Sequence, residues 1–298
     1  MRQDWRLGCI GVGAMGQALV KGILRAGKLS PDRVHVSDAD EQRCRTFATQ
    51  WVLNAGSNRE VAEAADAVII AVKPPQVPGV LQEIGPHLKE GALVISIAAG
   101  VPLATLESAL GRPLPVIRAM PNTPCLIGEG AVALSLGRWA DAEHGRWAAS
   151  LFEAVAAVVQ VPEYQMDAVT GLSGSGPAYV FKVIEALIDA GVMAGLDRAT
   201  ARKLVVHTVA GSARLVAETG EHPMALKDAV TSPGGTTIAG LAVLERRAVA
   251  SAFIDAVQEA ARRSAELGRQ SASTAQRPGP ASGDTGGGPP TAAYGQGS

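Results

Sequence analysis

Residues 7–16 read LGCIGVGAMG, and what stands on either side of them decides the fold. A short apolar run from Leu7 enters Gly11, Gly13 and Gly16 in the spacing G-x-G-x-x-G, and Leu19, Val20, Ile23 and Leu24 then recur at helical period. Alone, the glycine spacing is a weak signal. Set between a strand and a helix, and followed by a second strand at residues 33–37 (RVHVS), it has the context that a dinucleotide-binding βαβ unit requires. The glycines are expected to make the tight turn, admit a pyrophosphate to the backbone and let the helix lie close to the sheet. A βαβ turn with a purely structural role is the alternative that this context disfavours.

The end of the second strand reports on the adenosine ribose. An acidic side chain there binds the 2′-hydroxyl of NAD, whereas a basic or small polar one suits the 2′-phosphate of NADP. The signals conflict: Ser37, with Arg43 or Arg59 nearby, suits a phosphate, while Asp38 and Asp40 would repel one unless they serve as helix N-caps. Coenzyme choice stays open on these residues.

Alternation continues outward. A helix over residues 41–49, a short strand near Val52, a helix from Asn58 and a strand over 67–72 lead to Lys73-Pro74-Pro75. Residues at the carboxyl edge of a parallel sheet line the ligand crevice, so Ala71, Val72, Lys73 and Pro74 are expected against the middle of the cofactor. Strands at 93–97 and 116–120 follow, and a strand at 130–136 with a helix over 140–156 completes a doubly wound α/β domain, residues 1–162. From Glu163 the strand signals stop. Gly176-Pro177 opens a long helix, Asp197 caps a second that stops at Gly220, and a last helix covers 248–267, giving an all-α domain over residues 163–268. Several of these helices carry apolar residues on more than one face, which implies burial against a second copy of the chain, a homodimer at least. Residues 269–298 are Ser, Pro, Gly, Gln, Thr and Ala with almost no large apolar group, and are expected to be a disordered tail dispensable for the chemistry.

Composition removes other classes. A net charge of −1 with both signs interspersed leaves no basic stripe for a nucleic-acid backbone. Cys9, Cys44 and Cys125 are widely spaced and form no metal-ligand pattern with the histidines, which fits a reducing cytosol. No apolar run approaches a membrane span, so a soluble, cytoplasmic protein with no membrane contact is expected.

The second chemical signal is DAVTSPGGTTIAG, residues 228–240. Pro233 fixes one dihedral, Gly234 and Gly235 permit close approach of a ligand, and the threonines lead into Ile238, Leu241 and Ala242 at helical spacing. Unpaired N–H groups at a helix start, with the positive end of its dipole, suit a carboxylate or other anion. The competing reading is a tight turn between two helices with Thr236 as N-cap.

Taken together, these residues resemble the pyrroline-5-carboxylate reductases of proline biosynthesis. The likeness rests on CIGVGAMGQAL (9–19), AVKP (71–74), SIAAG (96–100), RAMPNTP (118–124), TGLSGSGPAYVF (170–181) and ETGEHP through SPGGTTIAG (218–240). It implies reduction of the cyclic imine 1-pyrroline-5-carboxylate to L-proline by NADPH or NADH. It also implies cofactor contacts at Gly11, Val12, Gly13, Ala14, Met15, Gly16, Ser37, Asn58, Ala71, Val72, Lys73, Pro74 and Ala99. Substrate is expected on Ser232, Gly234, Gly235, Thr236 and Thr237, with Glu163 nearby, no metal, and an interleaved helical dimer often assembled into a ring of dimers. Asp38 beside Ser37 departs from a strict NADPH pattern.

The chemistry agrees with that resemblance. Backbone N–H groups of Gly235, Thr236 and Thr237 are expected to take the substrate carboxylate, and the Thr237 hydroxyl, the assigned catalytic group, to face the imine nitrogen. No ionisable acid is obligatory if the iminium binds already protonated, and His222, beside Pro223 at a helix entry, reads as a cap. β-Hydroxyacid dehydrogenases are a rival class, but the lysine and asparagine of their helix fall here on Val180 and Ile184, so alcohol oxidation lacks its base. A regulatory protein that keeps the cofactor fold without the reaction is the other alternative, against which the intact SPGGTT loop speaks.

Overall fold

A computed structural model describes residues 4–275. Short apolar runs build one sheet from β1 (Leu7–Ile10), β2 (Val34–Ser37), β3 (Asn54–Ala55), β4 (Ala67–Ile70), β5 (Leu93–Ser96), β6 (Val116–Pro121), β7 (Gly130–Leu136) and β8 (Ala156–Gln160). Its order is β3-β2-β1-β4-β5-β6-β7-β8, parallel throughout except where β7 runs antiparallel to β6. β1, β4 and β5 are buried at every position, as continuous apolar strands must be when helices cover both faces.

The covering helices are α1 (Ala14–Arg25), α2 (Glu41–Trp51), α3 (Asn58–Ala64), α4 (Val77–Ile84), α5 (Leu103–Leu110) and α6 (Ala142–Phe152). Because side chains alternate across a strand, Leu7 and Cys9 enter one core with Leu19, Phe47 and Phe152, while Ile10 enters the other with Val61, Leu81 and Ile84. β2 and β4 flank β1 on opposite sides, and the chain's winding reverses there. A crevice therefore opens at the carboxyl ends of β1 and β4.

Two local readings change. The strand expected near Val52 is β3, displaced to Asn54–Ala55 because Val52 ends α2 in the left-handed region, φ 57°. The helix expected over 140–156 stops at Phe152, and Ala156–Gln160 pairs with β7 as an eighth strand. AAVVQ continues the apolar character of α6, so hydrophobic periodicity alone does not separate the two.

The second half is helical: α7 (Met166–Val169), a π-turn (Thr170–Gly174), α8 (Gly176–Met193), α9 (Arg198–Thr219), α10 (Pro223–Ala229), α11 (Thr236–Arg246) and α12 (Val249–Ala275). Helical backbone thus begins at Met166, ahead of the start expected at Gly176-Pro177. Asp197 caps α9 by accepting from the N–H of Ala199 and Thr200, each at 3.0 Å, and Gly220 stops it at φ 65°. His222 caps α10 through Nδ1, which accepts from Met224 N–H at 3.2 Å. α12 passes Gly268 and continues to Ala275, so helix replaces the first residues of the expected tail; residues 276–298 of that tail lie outside the described residues. No described helix is long and apolar enough to cross a membrane.

This half has no core of its own. Across α8 to α11 the only buried residue is Ala201, while Phe181, Leu187, Leu204, Leu215 and Leu244 are exposed. Apolar surface on that scale requires cover from another chain.

One ionic junction ties the halves together. Arg118 of β6 is buried, with Nη1 3.5 Å from Glu163 Oε1 and Nη2 3.7 Å from Asp167 Oδ1. Leu103 N–H, at the start of α5, donates to Glu163 Oε1 at 2.6 Å, and Ser264 Oγ of α12 donates to Asp167 Oδ1 at 2.7 Å. Replacing Arg118 by Met leaves two carboxylates facing each other without their cation. Since both are about one-third exposed, the expected loss is about 2 kcal/mol, below the full cost of breaking a buried pair, and urea denaturation measures it; unchanged stability would show that the junction carries nothing. At Val52 the sign reverses: Val52→Gly removes a β-branched residue from a left-handed helix end and should gain about 1 kcal/mol in the same assay.

Candidate active site

The three glycines of the first turn do three different things. Gly11 sits at φ +98°, and a Cβ there would lie 2.6 Å from the carbonyl oxygen of Ala71, so only glycine lets β1 end against β4. A Cβ at Gly16 would overlap the carbonyl oxygen of Gly11, which fixes how near α1 lies to the turn. At Gly13 a Cβ would meet nothing within 4 Å. The space in front of Gly13 is open, and no side chain caps the α1 terminus behind it. First-turn N–H groups there are free for an anion.

Asp38 braces this turn from behind. Its carboxylate accepts from Val12 N–H at 2.7 Å, Asp40 N–H at 2.9 Å and Arg43 Nη2 at 2.6 Å. Burial raises the Asp38 pKa, but the hydrogen bond from Arg43, the two N–H groups and the charge of Arg43 outweigh it, holding the carboxyl below its usual range. Asp40 accepts from Arg43 N–H at 3.0 Å and caps α2. Asp40 thus carries the N-capping role that was the alternative to phosphate repulsion, whereas Asp38 caps no helix and instead braces the glycine turn. Cys9 beneath them is inert as a nucleophile: burial, then Asp38 and Cys44, pushes its thiol up to about 12.

The crevice is a cleft of about 900 Å³. Of the expected cofactor residues, Gly11, Gly13, Ser37, Asn58, Ala71, Val72 and Lys73 line it. Val12 and Gly16 lie buried under the turn, and Ala14, Met15, Pro74 and Ala99 are not on this wall. Ser37 Oγ donates to Asn58 Oδ1 at 2.8 Å, and Asn58 Nδ2 donates to Glu83 Oε2 at 2.9 Å. Glu83, Gln76 and Val80 on the α4 side also line the cleft. Sequence reading missed them because no local spacing links α4 to the end of β2.

The second site is the loop between α10 and α11. Gly234 has φ +65°, which asks for glycine, whereas Gly235 has ordinary backbone and a side chain there would require Ser232 Oγ to move. Gly235 is the N-cap of α11, with no side-chain cap, so Thr236 is the first helical residue and not the cap. Gly235 N–H donates to Ser232 O at 3.1 Å and is not available as a carboxylate donor, leaving those of Thr236 and Thr237. Ser232, Gly234 and Thr236 are exposed and Thr237 is half-buried. Within one chain none of them lines the cleft. Glu163 is engaged at the ionic junction, on the α5 terminus and Arg118. Next to it the π-turn closes on the sheet: a Cβ at Gly174 would lie 2.5 Å from Met120 Cε, and one at Gly171 2.5 Å from Val257 O. The small residues of TGLSG are there so that β6 and α12 can meet around them.

Comparison with known proteins gives the family of the chain. Residues 163–267 match the family model for pyrroline-5-carboxylate reductase dimerisation, and residues 6–100 match that for NADP oxidoreductase, coenzyme F420-dependent. A pyrroline-5-carboxylate reductase of Methanosarcina acetivorans is 43% identical over 90% of this chain and 100% of its own length. Among solved structures, one from Coxiella burnetii is 37% identical with a TM-score of 0.84, covering 88% of this chain and 98% of its own. One from Plasmodium falciparum with NADP bound is 34% identical with a TM-score of 0.80, covering 89% and 99%. A chain with this identity over nine-tenths of its length, and with a family-model match across its helical half, belongs to the pyrroline-5-carboxylate reductase family.

Proposed function

We propose that this chain reduces 1-pyrroline-5-carboxylate to L-proline with NAD(P)H, the last step of proline biosynthesis. The observation that carries the reading is the pairing, in one chain, of an open dinucleotide turn at Gly13 with an uncapped α11 terminus bearing Thr236 and Thr237. A bound reduced nicotinamide supplies a hydride. The imine carbon gains it, the C=N π pair moves to nitrogen, and the nitrogen keeps a proton, so substrate, NAD(P)H and H⁺ give proline and NAD(P)⁺.

The protein's part is to orient and to exclude water. N–H groups of Thr236 and Thr237, with the α11 dipole, hold the substrate carboxylate, and the Thr237 hydroxyl fixes the nitrogen. Ser232 shapes the loop by filling the space a side chain at Gly235 would take. Since the cleft of one chain contains none of these residues, a second copy completes the site in a homodimer, which larger assemblies can repeat. The uncovered faces of α8 to α11 support that arrangement, and three unpaired, buried cysteines support a cytoplasmic setting.

The direct test is oxidation of NADPH by the purified chain with 1-pyrroline-5-carboxylate, with proline identified as product; cofactor binding without turnover would mark a regulatory relative instead. Thr237→Val removes one hydrogen bond at a desolvated site and should lower kcat/KM for the imine roughly 5- to 150-fold, with NADPH affinity unchanged. An undiminished kcat/KM would take Thr237 out of the site. Gly13→Ala and Gly16→Ala separate binding from folding: the first should weaken nucleotide at least about 10-fold and shift Tm by no more than about 2 °C, and the second should cost about 1–3 kcal/mol of stability. Equal behaviour of the two would mean that the space before Gly13 is not the pyrophosphate site.

A further inference from the structure

We propose that Arg43 is the residue that reads the coenzyme's 2′-phosphate, and that the acidic signature at the end of β2 does not mark a ribose-binding carboxylate. The inference rests on the reading that the cleft takes a nicotinamide dinucleotide and adds the chemistry that selects between the two forms.

In an NAD-selective site the acid after β2 offers its oxygens to the ribose hydroxyls. Asp38 has little to offer, because three donors already occupy most of its carboxylate's acceptor sites. Oδ2 is taken by Val12 N–H, Oδ1 by Asp40 N–H and Arg43 Nη2, and the side chain is 7% exposed. Asp40 is committed to the α2 terminus in the same way, through Arg43 N–H at 3.0 Å. Asp38 lines the cleft but is 7% exposed, Asp40 is half exposed beside it, and the group of this cluster that reaches furthest into the cleft with unfilled donors is the Arg43 guanidinium.

Arg43 lines the cleft with 45% of its side chain exposed. A guanidinium has five N–H donors in a rigid fork; one nitrogen is bonded to Asp38 and another lies a loose 3.6 Å from Asp40, so donors remain for a phosphate. Its anchoring removes much of the rotamer freedom that a lone surface arginine would lose on binding. The alternatives are less well placed. Arg59 is bonded to Glu63 at 2.7 Å and does not line the cleft. Arg45 lines it but is bonded to Glu41 at 2.7 Å and is 76% exposed. Ser37 is buried and gives its proton to Asn58, and Ala39 has no polar group.

The probes are two adenosine fragments that differ only in the group in question, adenosine 2′,5′-bisphosphate and 5′-AMP, titrated calorimetrically into the intact protein, with NADPH and NADH as full-length counterparts. Arg43→Gln should weaken the bisphosphate about 5- to 20-fold, a charge-assisted bond discounted for exposure, and change 5′-AMP less than about 2-fold. Arg43→Lys, which keeps the charge without the fork, should fall between, and Arg59→Gln should change neither. The selective loss should shrink as salt rises. Equal weakening of both fragments, or no weakening, overturns the role of Arg43 while leaving the dinucleotide site intact. If wild-type protein binds neither fragment nor either dinucleotide, the reading of the cleft falls, and this inference with it.

Discussion

The structure depends on a backbone passing where no side chain fits. At the end of β1 the chain turns so close to Ala71 that a Cβ on Gly11 would strike its carbonyl, and α1 leaves so close to Gly11 that a Cβ on Gly16 would strike the carbonyl behind it. Close packing here is not a matter of affinity between groups but of excluded volume. It places the uncapped start of α1 at the mouth of the crevice. Asp38 then fixes the turn from the other side through Val12 N–H, so the shape of the crevice mouth is held by the chain's own contacts.

How much of this was legible differs by element. The glycine spacing, the apolar strands and the Asp197 and Gly220 helix boundaries were readable because each is a local pattern with a local cause. β8 was not, since Ala156–Gln160 is short and apolar and its identity depends on β7 lying beside it. The Val52 region was misplaced because a β-branched residue occupies a left-handed position normally marked by glycine. The family resemblance placed the residues 232–237 loop in the substrate site, but which N–H groups are free there follows from the Gly235 to Ser232 bond, which sequence does not display.

The carboxylates were the hardest to read. Asp38 has the residue type and position of a ribose ligand, and only its three donors reveal that it is spoken for. Glu163, expected beside the substrate, accepts from Leu103 N–H and faces Arg118. In both cases a charged side chain satisfies backbone N–H groups brought from a distance in sequence, 26 residues for Asp38 and 60 for Glu163. Spacing rules address neighbours along a helix or strand and have no purchase on such pairs.

The same junction bears on how the protein is made. Arg118 is buried in the sheet, yet its counter-charges arrive only with Glu163 and Asp167, and the Ser264 bond that holds Asp167 closes a separation of 97 residues. A chain emerging from the ribosome at about 5–20 residues per second therefore carries an unneutralised cation in its nascent sheet for several seconds. The α/β half cannot settle its last charge until the start of the helical half has been synthesised, and the clasp shuts only once Ser264 has followed. A late-closing contact of this kind gives the two halves a shared folding step, since the first cannot neutralise Arg118 without residues of the second.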